Sequence, residues 1–530
     1  MSPLPRRDRI GEYAVKGAHL ALRQLAEAPE QRQARRLAAQ AAAIAPAAAG
    51  KRVAILTPRD WAAHVQWEGM IAQALRLRGA DVSFITCGGE LEICDRANTW
   101  EAPPMPCTTC TRYVHGSIDA HGFPRSSLRD RWQGDDPGAW PEIDEVSAPD
   151  LPAVEGLGLP LGQLVDIPVK WFLMGTRLAD DPLAPITFRR FLRSSRRVAV
   201  ALERALDELR PDVVLMLNGL FFFEAICREL CARRGIDVVT YERGFIKETL
   251  LFRHGAPACL LDVSELWEAR RDTPLTAEED DELDRYLGER SRGERTIDRF
   301  WGDARFESPD RRGQGRLVSL FTNLTWDSAV IGQEVAFQSL QDWVAAAVEA
   351  FAARPEHELV IRIHPAEVKL PGKETREPVG AFLRERFPSM PANVRVIEAD
   401  DPTSSYPLMA ASDFGLVFTS TTGMELAMQG IPVVVAGRTH YRGKGFTTDV
   451  SSAAEFLEAL DKGLADPTSL SPNPDMARRY AHTFFFRAPV ASPGVEEHVL
   501  GLARLTVDDL SELEPGRSPD VDRICDVILG

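Results

Sequence analysis

The chain has 530 residues, enough for two large domains or three ordinary ones at roughly 150 residues each. Lys and Arg number 62 against 78 Asp and Glu, a formal net charge of −16, which excludes the basic footprint of a sequence-independent nucleic-acid binder. Hydrophobic residues make up 44% and charged residues 26%, ordinary globular usage, and no apolar run of about 18 residues occurs that would span a membrane.

Residues 1–50 read as a helical segment rich in Ala, Leu, Arg and Gln. The alanine-rich run 39–49 comes too late for a signal-peptide core and is interrupted by Gln40 and Pro46, so the expected compartment is the cytoplasm. The arginines of the first 40 residues offer a peripheral contact with anionic lipid. From residue 51 the pattern changes: apolar runs at 53–57 and 81–86 flank a helical spacing at 65–77, a β-α-β unit. Residues 87–150, with many Pro, Gly, Asp and Trp and no clear period, read as an irregular, Cys-rich insertion. A helix at 188–209, a strand at 212–217, a helix at 222–234 and a strand at 236–241 complete a first α/β domain, 51–310, whose end is a charged helix and linker.

A second α/β domain, 311–470, carries strands at 317–322, 358–363, 394–398, 414–418 and 432–436, with helices at 334–353, 379–387, 405–411 and 423–429 between them. Residues 471–530 are expected to be a helical tail that packs back on the first domain. Two doubly wound sheets in tandem bind ligands outside the carboxyl ends of their strands, so the residues that end each strand are the candidates. No G-x-G-x-x-G follows the first strand of either half and no P-loop occurs, which sets aside ordinary dinucleotide, redox-cofactor and P-loop chemistry.

In the second domain one strand ends in His364-Pro365, and another runs into Thr419-Ser420-Thr421-Thr422-Gly423-Met424-Glu425. Hydroxyls and the first N–H groups of a helix favour a phosphate, and Gly423 permits close approach to the backbone. Thr422-x-x-Glu425 also fits a capping box that serves the helix alone. Pro365 ends the strand and aims His364 out of the sheet, either as a structural histidine or as a donor to a leaving phosphate. In the first domain the strand ends are Asn218-Gly219 and Tyr241-Glu242-Arg243-Gly244. Glu242 there is either a general base for an acceptor hydroxyl or the partner of a nearby arginine.

Four of the eight cysteines, Cys87, Cys94, Cys107 and Cys110, lie at C-x6-C-x12-C-x2-C. Four thiolates are a tetrahedral zinc set, with His115 and His121 as substitutes; an iron–sulfur cluster and free thiols are the alternatives. Cys227 and Cys231, four residues apart on a helix, read as core residues.

The order Glu242-x-Gly244-Phe245, His364-Pro365, the Ser/Thr loop with Glu425, then Gly437-Arg438-Thr439-His440-Tyr441-Arg442-Gly443, and later Ala477-Arg478-Arg479-Tyr480 and Phe484-Phe485-Phe486-Arg487 resembles the capsule polysaccharide biosynthesis family. That family includes the Kdo transferases and is related in motif to bacterial sialyltransferases. The resemblance spans roughly 211–487. It implies a GT-B-like α/β fold, two Rossmann-like domains facing a cleft, with the acceptor on the N-terminal side and a nucleotide-sugar donor on the C-terminal side. It implies that His364, Ser420, Thr421 and Thr422 hold the donor phosphate and that Glu242 does the acid–base or nucleophilic work, with no catalytic metal. Glu425 would then meet sugar or ribose hydroxyls, and Asn218, Gly219, Arg243, His440 and Tyr441 are candidate substrate contacts. The element departs from the family's Glu-Asp-Gly at Arg243. The rival expectations are a nucleotide-sugar epimerase on the same fold, a metal-stapled sugar-nucleotide-binding protein without activity, and a cysteine-based redox sensor.

Overall fold

A computed structural model describes residues 27–100, 105–132, 136–292, 294, 305–307, 311, 313–370, 372–498 and 502–530. Two sheets dominate it. The first contains β1 (Arg52–Leu56), β2 (Asp81–Thr86), β3 (Arg125–Ser127), β4 (Val213–Leu217), β5 (Asp237–Arg243) and β6 (Thr249–His254). The second contains β7 (Leu317–Phe321), β8 (Glu358–Arg362), β9 (Val394–Ile397), β10 (Phe414–Val417), β11 (Val433–Val435) and β12 (Thr448–Asp449). Near the end of the chain come β13 (Val490–Ala491), β14 (Val495–His498) and β15 (Leu502–Leu505).

The sheet orders are β13-β6-β5-β4-β1-β2-β3 and β12-β11-β10-β7-β8-β9. In both, the first strand lies at the centre, the next two extend to one side and the fourth begins the other, the strand order of doubly wound nucleotide-binding folds. The second sheet is parallel throughout. The first is parallel from β3 to β5 and then antiparallel at β6 and β13. β4 and β7 are buried at every position, as strands covered by helices on both faces must be.

Helices follow from spacing. In Ala184–Leu209 the buried set Phe188, Phe191, Leu192, Ser195, Val198, Ala199, Leu202, Ala205 and Leu206 lies on one stripe. The expected helix 334–353 begins only at Leu340, where Ser339 caps the Asp342 N–H and Glu334 pairs instead with Gly437. Apolar cores cover the faces of each sheet, and one of them is shared: Ile246, Leu251, Trp267 and Tyr286 of the first unit pack with Phe321, Met424 and Tyr441 of the second and Phe484 of the tail.

Two expectations change. Residues 87–150 are not wholly irregular: helix Cys107–His121 and β3 continue β2 as a third parallel β-α-β step. That helix reads CTTCTRYVHGSIDAH, poor in strong helix formers, and its order rests on burying Tyr113, Val114, Ser117, Ile118 and His121. The tail is not purely helical, since β13 joins the first sheet and β14 pairs with β15, with helix Pro519–Leu529 packed nearby. Helix Pro29–Ile44 packs on Cys107–His121, where Gln31 Nε2 donates to Ser117 Oγ at 3.0 Å. Arg32, Arg35 and Arg36 are exposed on it, and the arginines before residue 27 lie outside the described residues.

Candidate functional site

In the first unit the site grows from the register of β4 and β5. Leu217 faces Tyr241, so the turn after β4 lies beside the end of β5, and the Asn218 N–H donates to Tyr241 O at 2.7 Å. Asn218 and Gly219 both take left-handed backbone, φ +58° and +94°, a pair of conformations that Asn and Gly tolerate. The turn throws the Asn218 side chain onto Glu242: Nδ2 donates to Oε2 at 2.9 Å, while Oδ1 accepts the Leu220 N–H at 3.0 Å. The second Glu242 oxygen accepts the Arg243 N–H at 2.9 Å. The carboxyl is half-buried, and desolvation above all raises its proton affinity over the ordinary value, against those two hydrogen bonds and the Arg243 charge. Arg243 itself turns away to Glu497, 2.9 Å from Nη2. Glu242 is therefore not spent in the salt bridge that the sequence also allowed.

Beneath this turn lies a buried set that sequence reading missed. Arg59, after β1, binds Asp95 at 2.9 Å and Glu224, all three buried. Asp95 also accepts the Phe222 N–H at 2.8 Å, which pins the far end of the Asn218 turn. Glu68 accepts from Thr57 Oγ1 at 2.6 Å and Tyr241 Oη at 2.7 Å. Burial pushes Glu68 up to about 8.

In the second unit the central strand β7 ends in Thr322-Asn323, and each residue holds one neighbour. Thr322 Oγ1 accepts the His364 N–H at 2.9 Å after β8, and Asn323 Oδ1 accepts the Thr419 N–H at 3.2 Å after β10. The histidine and the hydroxyl loop therefore flank β7, two strand spacings or about 10 Å apart. His364 is half-buried. Its Nδ1 accepts the Ala366 N–H at 3.2 Å, so the ring proton sits on Nε2. Burial, with Arg362 nearby, lowers its pKa to about 4, so at neutral pH the ring is a neutral donor rather than an imidazolium.

Ser420 turns inward, its Oγ donating to Thr422 Oγ1 at 3.0 Å and accepting the Thr422 N–H at 3.2 Å. Thr421 and Thr422 are half-buried. The capping box is not formed: the cap of Thr422–Met428 is Thr421, with no side-chain bond. Glu425 is buried and accepts from Arg290 at 3.0 Å, so this carboxylate ties the helix Ala277–Ser291 to the second unit instead of standing open to a sugar. Gly423 is approached by a side chain, since a Cβ there would collide with Tyr441 Oη. Tyr441 is itself buried and donates to Ser420 O at 2.5 Å, so it props the loop from below instead of contacting substrate.

His440 is stacked on Phe484 at 4.1 Å. Tyr480 Oη donates to His440 O at 2.8 Å and so must accept from Nδ1–H at 2.9 Å. Nε2 is then an acceptor, and it is buried without a hydrogen-bond partner, as are Thr325 Oγ1 after β7 and Thr419 Oγ1 after β10.

Cys87, Cys94, Cys107 and Cys110 are gathered in one region. Cys107 and Cys110 are one turn apart at the start of their helix, and Gly89 lies against Cys107 while its N–H donates to Cys87 Sγ at 3.4 Å. Among the described residues, however, no group of three or more His, Cys, Asp or Glu side chains is placed to hold a metal ion. Burial pushes Cys87 up to about 12 and Cys94 and Cys110 well above the ordinary thiol value. His115 is engaged by Thr86 and His121 by Gln66, each at 3.0 Å. Cys227 and Cys231 are core residues. No helix among the described residues is long and apolar enough to cross a membrane.

Residues 281–471 match the model of a family described as capsule polysaccharide biosynthesis protein. The linker helix and the second unit thus carry that family's sequence pattern, and the resemblance read from the motifs holds there; Glu242 lies outside the match. Among solved structures, the chain is similar to two KpsC enzymes of Thermosulfurimonas dismutans. The beta Kdo 2,7 transferase is 14% identical with a TM-score of 0.34, covering 59% of this chain and 88% of that one. The beta Kdo 2,4 transferase is 16% identical with a TM-score of 0.36, covering 57% and 87%. A UDP-GlcNAc 2-epimerase from Neisseria meningitidis, bound to UDP-GlcNAc, is 11% identical with a TM-score of 0.26, covering 82% and 99%. These scores are too low to carry an argument. No curated protein matches the chain.

Proposed function

We propose that the protein is a GT-B glycosyltransferase of capsule or related surface-polysaccharide biosynthesis, moving a sugar from a nucleotide-activated donor to a hydroxyl of a saccharide or small-molecule acceptor. The observation that carries this reading is the Glu242 carboxyl, held by Asn218 in the first unit and linked through it to the second unit's β7 loop, where the Asn218 amide reaches Ser328 Oγ at 3.4 Å. The family match over the second unit supports it.

In this reading the donor phosphate lies at the carboxyl ends of β7, β8 and β10. His364 Nε2–H meets the oxygen that gains charge as the sugar leaves, and Thr421 and Thr422 supply hydroxyls. Neutral donors suit this task, since hydrogen bonds aimed at developing charge act most strongly in a site that excludes water. His364 and the hydroxyls meet that charge without a catalytic metal. His440 Nε2 accepts from a ligand hydroxyl, and Glu242 takes the proton of the acceptor hydroxyl. The free state of all eight cysteines supports a reducing compartment, and we assign the protein to the cytoplasm.

The test begins with a thermal-shift panel of CMP, UDP, GDP and TDP sugars, because a ligand of the native state raises the melting temperature. With the donor so found, His364→Ala is expected to lower kcat about 10²–10³-fold at unchanged fold, with His364→Asn restoring part of it. Full activity in His364→Ala removes the assigned role. Isomerised sugar from donor alone makes the protein an epimerase, and a bound donor that is never turned over makes it a binding protein.

A structural zinc on Cys87, Cys94, Cys107 and Cys110 is a separate proposal. It rests on their shared region and requires side-chain rotation to bring the thiols together. Elemental analysis of purified protein finding about one zinc per chain carries it, and metal-free folded protein overturns it.

A further inference from the structure

The β7 loop continues past Asn323 to Trp326-Asp327-Ser328, which the motifs do not mark. Asp327 is half-buried; its Oδ1 accepts the Ala329 N–H at 2.9 Å, and its backbone carbonyl accepts the N–H groups of Val330 and Ile331 at 2.9 and 3.1 Å. The turn is thereby fixed. The next residue, Ser328, receives the Asn218 amide, whose N–H groups are then divided between Glu242 of the first unit and Ser328 of the second. The charge of Asp327 bears on Glu242, and both bear on the buried Cys259 thiol.

We propose that the turn Asp327-Ser328 completes the Glu242 centre from across the seam: Ser328 fixes the amide that orients Glu242, and Asp327, the preceding residue of the same fixed turn, brings its charge to bear on it, so the proton acceptor is assembled from both units. Asp327 is a positioning residue in this scheme, acting through Glu242. The catalytic meaning rests on the glycosyl-transfer reading. There the acceptor oxygen bonds to the anomeric carbon, its proton passes to Glu242, and the sugar–phosphate bond breaks with its electron pair staying on the phosphate oxygen. An ionised carboxylate in a low-dielectric site opposes the ionisation of a second one, so the charge of Asp327 makes Glu242 the stronger base.

Among the described residues, the charged and titratable groups that act at this centre are Arg243, Asp327, Lys373, Tyr241 and Cys259. Arg243 on β5 lowers the proton affinity of Glu242 and Asp327 on the β7 loop raises it. Lys373 acts on Asp327, and Arg228 acts on Cys259 behind it. Desolvation is the first cause of the upward shift at both carboxyls.

The experiment is a pH–rate profile with the sugar nucleotide that gives the largest shift in the panel above. Asp327→Asn keeps the Oδ1 that caps Ala329 and removes only the charge. It is expected to move the acidic limb of kcat/KM down by about one pH unit and to lower the plateau. Ser328→Ala is expected to lower the rate with the limb in place. A limb unmoved in Asp327→Asn, with the wild type active, overturns the proposal and leaves glycosyl transfer standing. The same coupling is read without substrate. Glu242, shifted upward, contributes a fall in melting temperature as pH rises from the unfolded carboxyl value through the folded one, and Glu242→Gln removes that share. Asp327→Asn must narrow this pH window more in the wild type than in Glu242→Gln, where only the titration of Asp327 itself is lost, and equal narrowing overturns the proposal even if no donor is ever turned over.

Discussion

The two candidate histidines carry their protons on opposite nitrogens, and backbone groups decide it: the Ala366 N–H donates to Nδ1 of His364, while the His440 carbonyl accepts the Tyr480 hydroxyl, leaving Tyr480 Oη to accept from Nδ1–H of His440. One ring presents a donor, the other an acceptor. The position of His364 is legible in the sequence because a proline ends its strand. Its neutrality is not legible, since burial and Arg362 come from the fold. Glu68 makes a prediction at this scale. Its carboxyl sits at about 8 against an ordinary 4.5, chiefly through desolvation, so the folded state holds a proton that the unfolded state releases. Stability therefore falls as pH rises through that window and levels off above it. Glu68→Gln is expected to flatten the slope of melting temperature against pH between those limits, and an unchanged slope would remove the assignment. Arg59 makes a second. Arg59→Met strands Asp95 and Glu224 in the core, and chemical denaturation should register a loss of about 3–5 kcal/mol.

Among the elements, the hydroxyl loop shows how a motif and its surroundings divide the work. Ser420 to Glu425 was recognisable by composition, but both local readings of Glu425 gave way to a partner on a distant helix, Arg290. Gly423 is required by Tyr441, because its missing Cβ makes the space for that phenol. Gly423→Ala is expected to displace Tyr441, break its bond to Ser420 O and raise the donor KM. Tyr441→Phe, which loses the hydrogen bond alone, should show a smaller rise, and equal effects would contradict the packing argument. Helix Cys107–His121 is the opposite case. Its polar, β-branched sequence carries weak helical preference, and tertiary burial of one face, with Gln31 reaching Ser117, outweighs it.

At the scale of the whole molecule, the two units are joined by more than a linker. Residues 372–377 of the second unit lie on the first: Asn98 Nδ2 donates to Gly372 O at 2.8 Å and Trp100 Nε1 to Glu374 O at 2.9 Å. Arg376 pairs with Asp181 at 2.5 Å, and the Glu377 carboxylate accepts the Thr176 N–H at 3.1 Å. Trp326 Nε1 donates to Thr375 Oγ1 at 2.8 Å, which joins this strap to the loop bearing Asp327. Arg376→Ala should speed hydrogen exchange at 372–377 about tenfold and raise the donor KM, while the shared apolar core keeps the global transition nearly in place. Protection that stays unchanged would show the strap to be held by its other contacts.

Length, strand–helix alternation and strand-end motifs determined two α/β units and the limits of their buried parallel strands within a residue or two, because such strands and amphipathic helices write their periods locally; the short β3 and the antiparallel β6 and β13 were not legible. His364, the Ser/Thr loop and Glu242 were legible for the same reason, each ending a strand. What the tertiary structure alone decided are the pairings between residues far apart in the chain: Asn218 with Glu242 and Ser328, Arg59 with Asp95 and Glu224, Glu425 with Arg290. The same holds for the four cysteines, whose spacing suggests a metal and whose side chains do not form a ligand group. Burial and the direction of a side chain depend on what packs over it, and that is set by the fold of the whole chain.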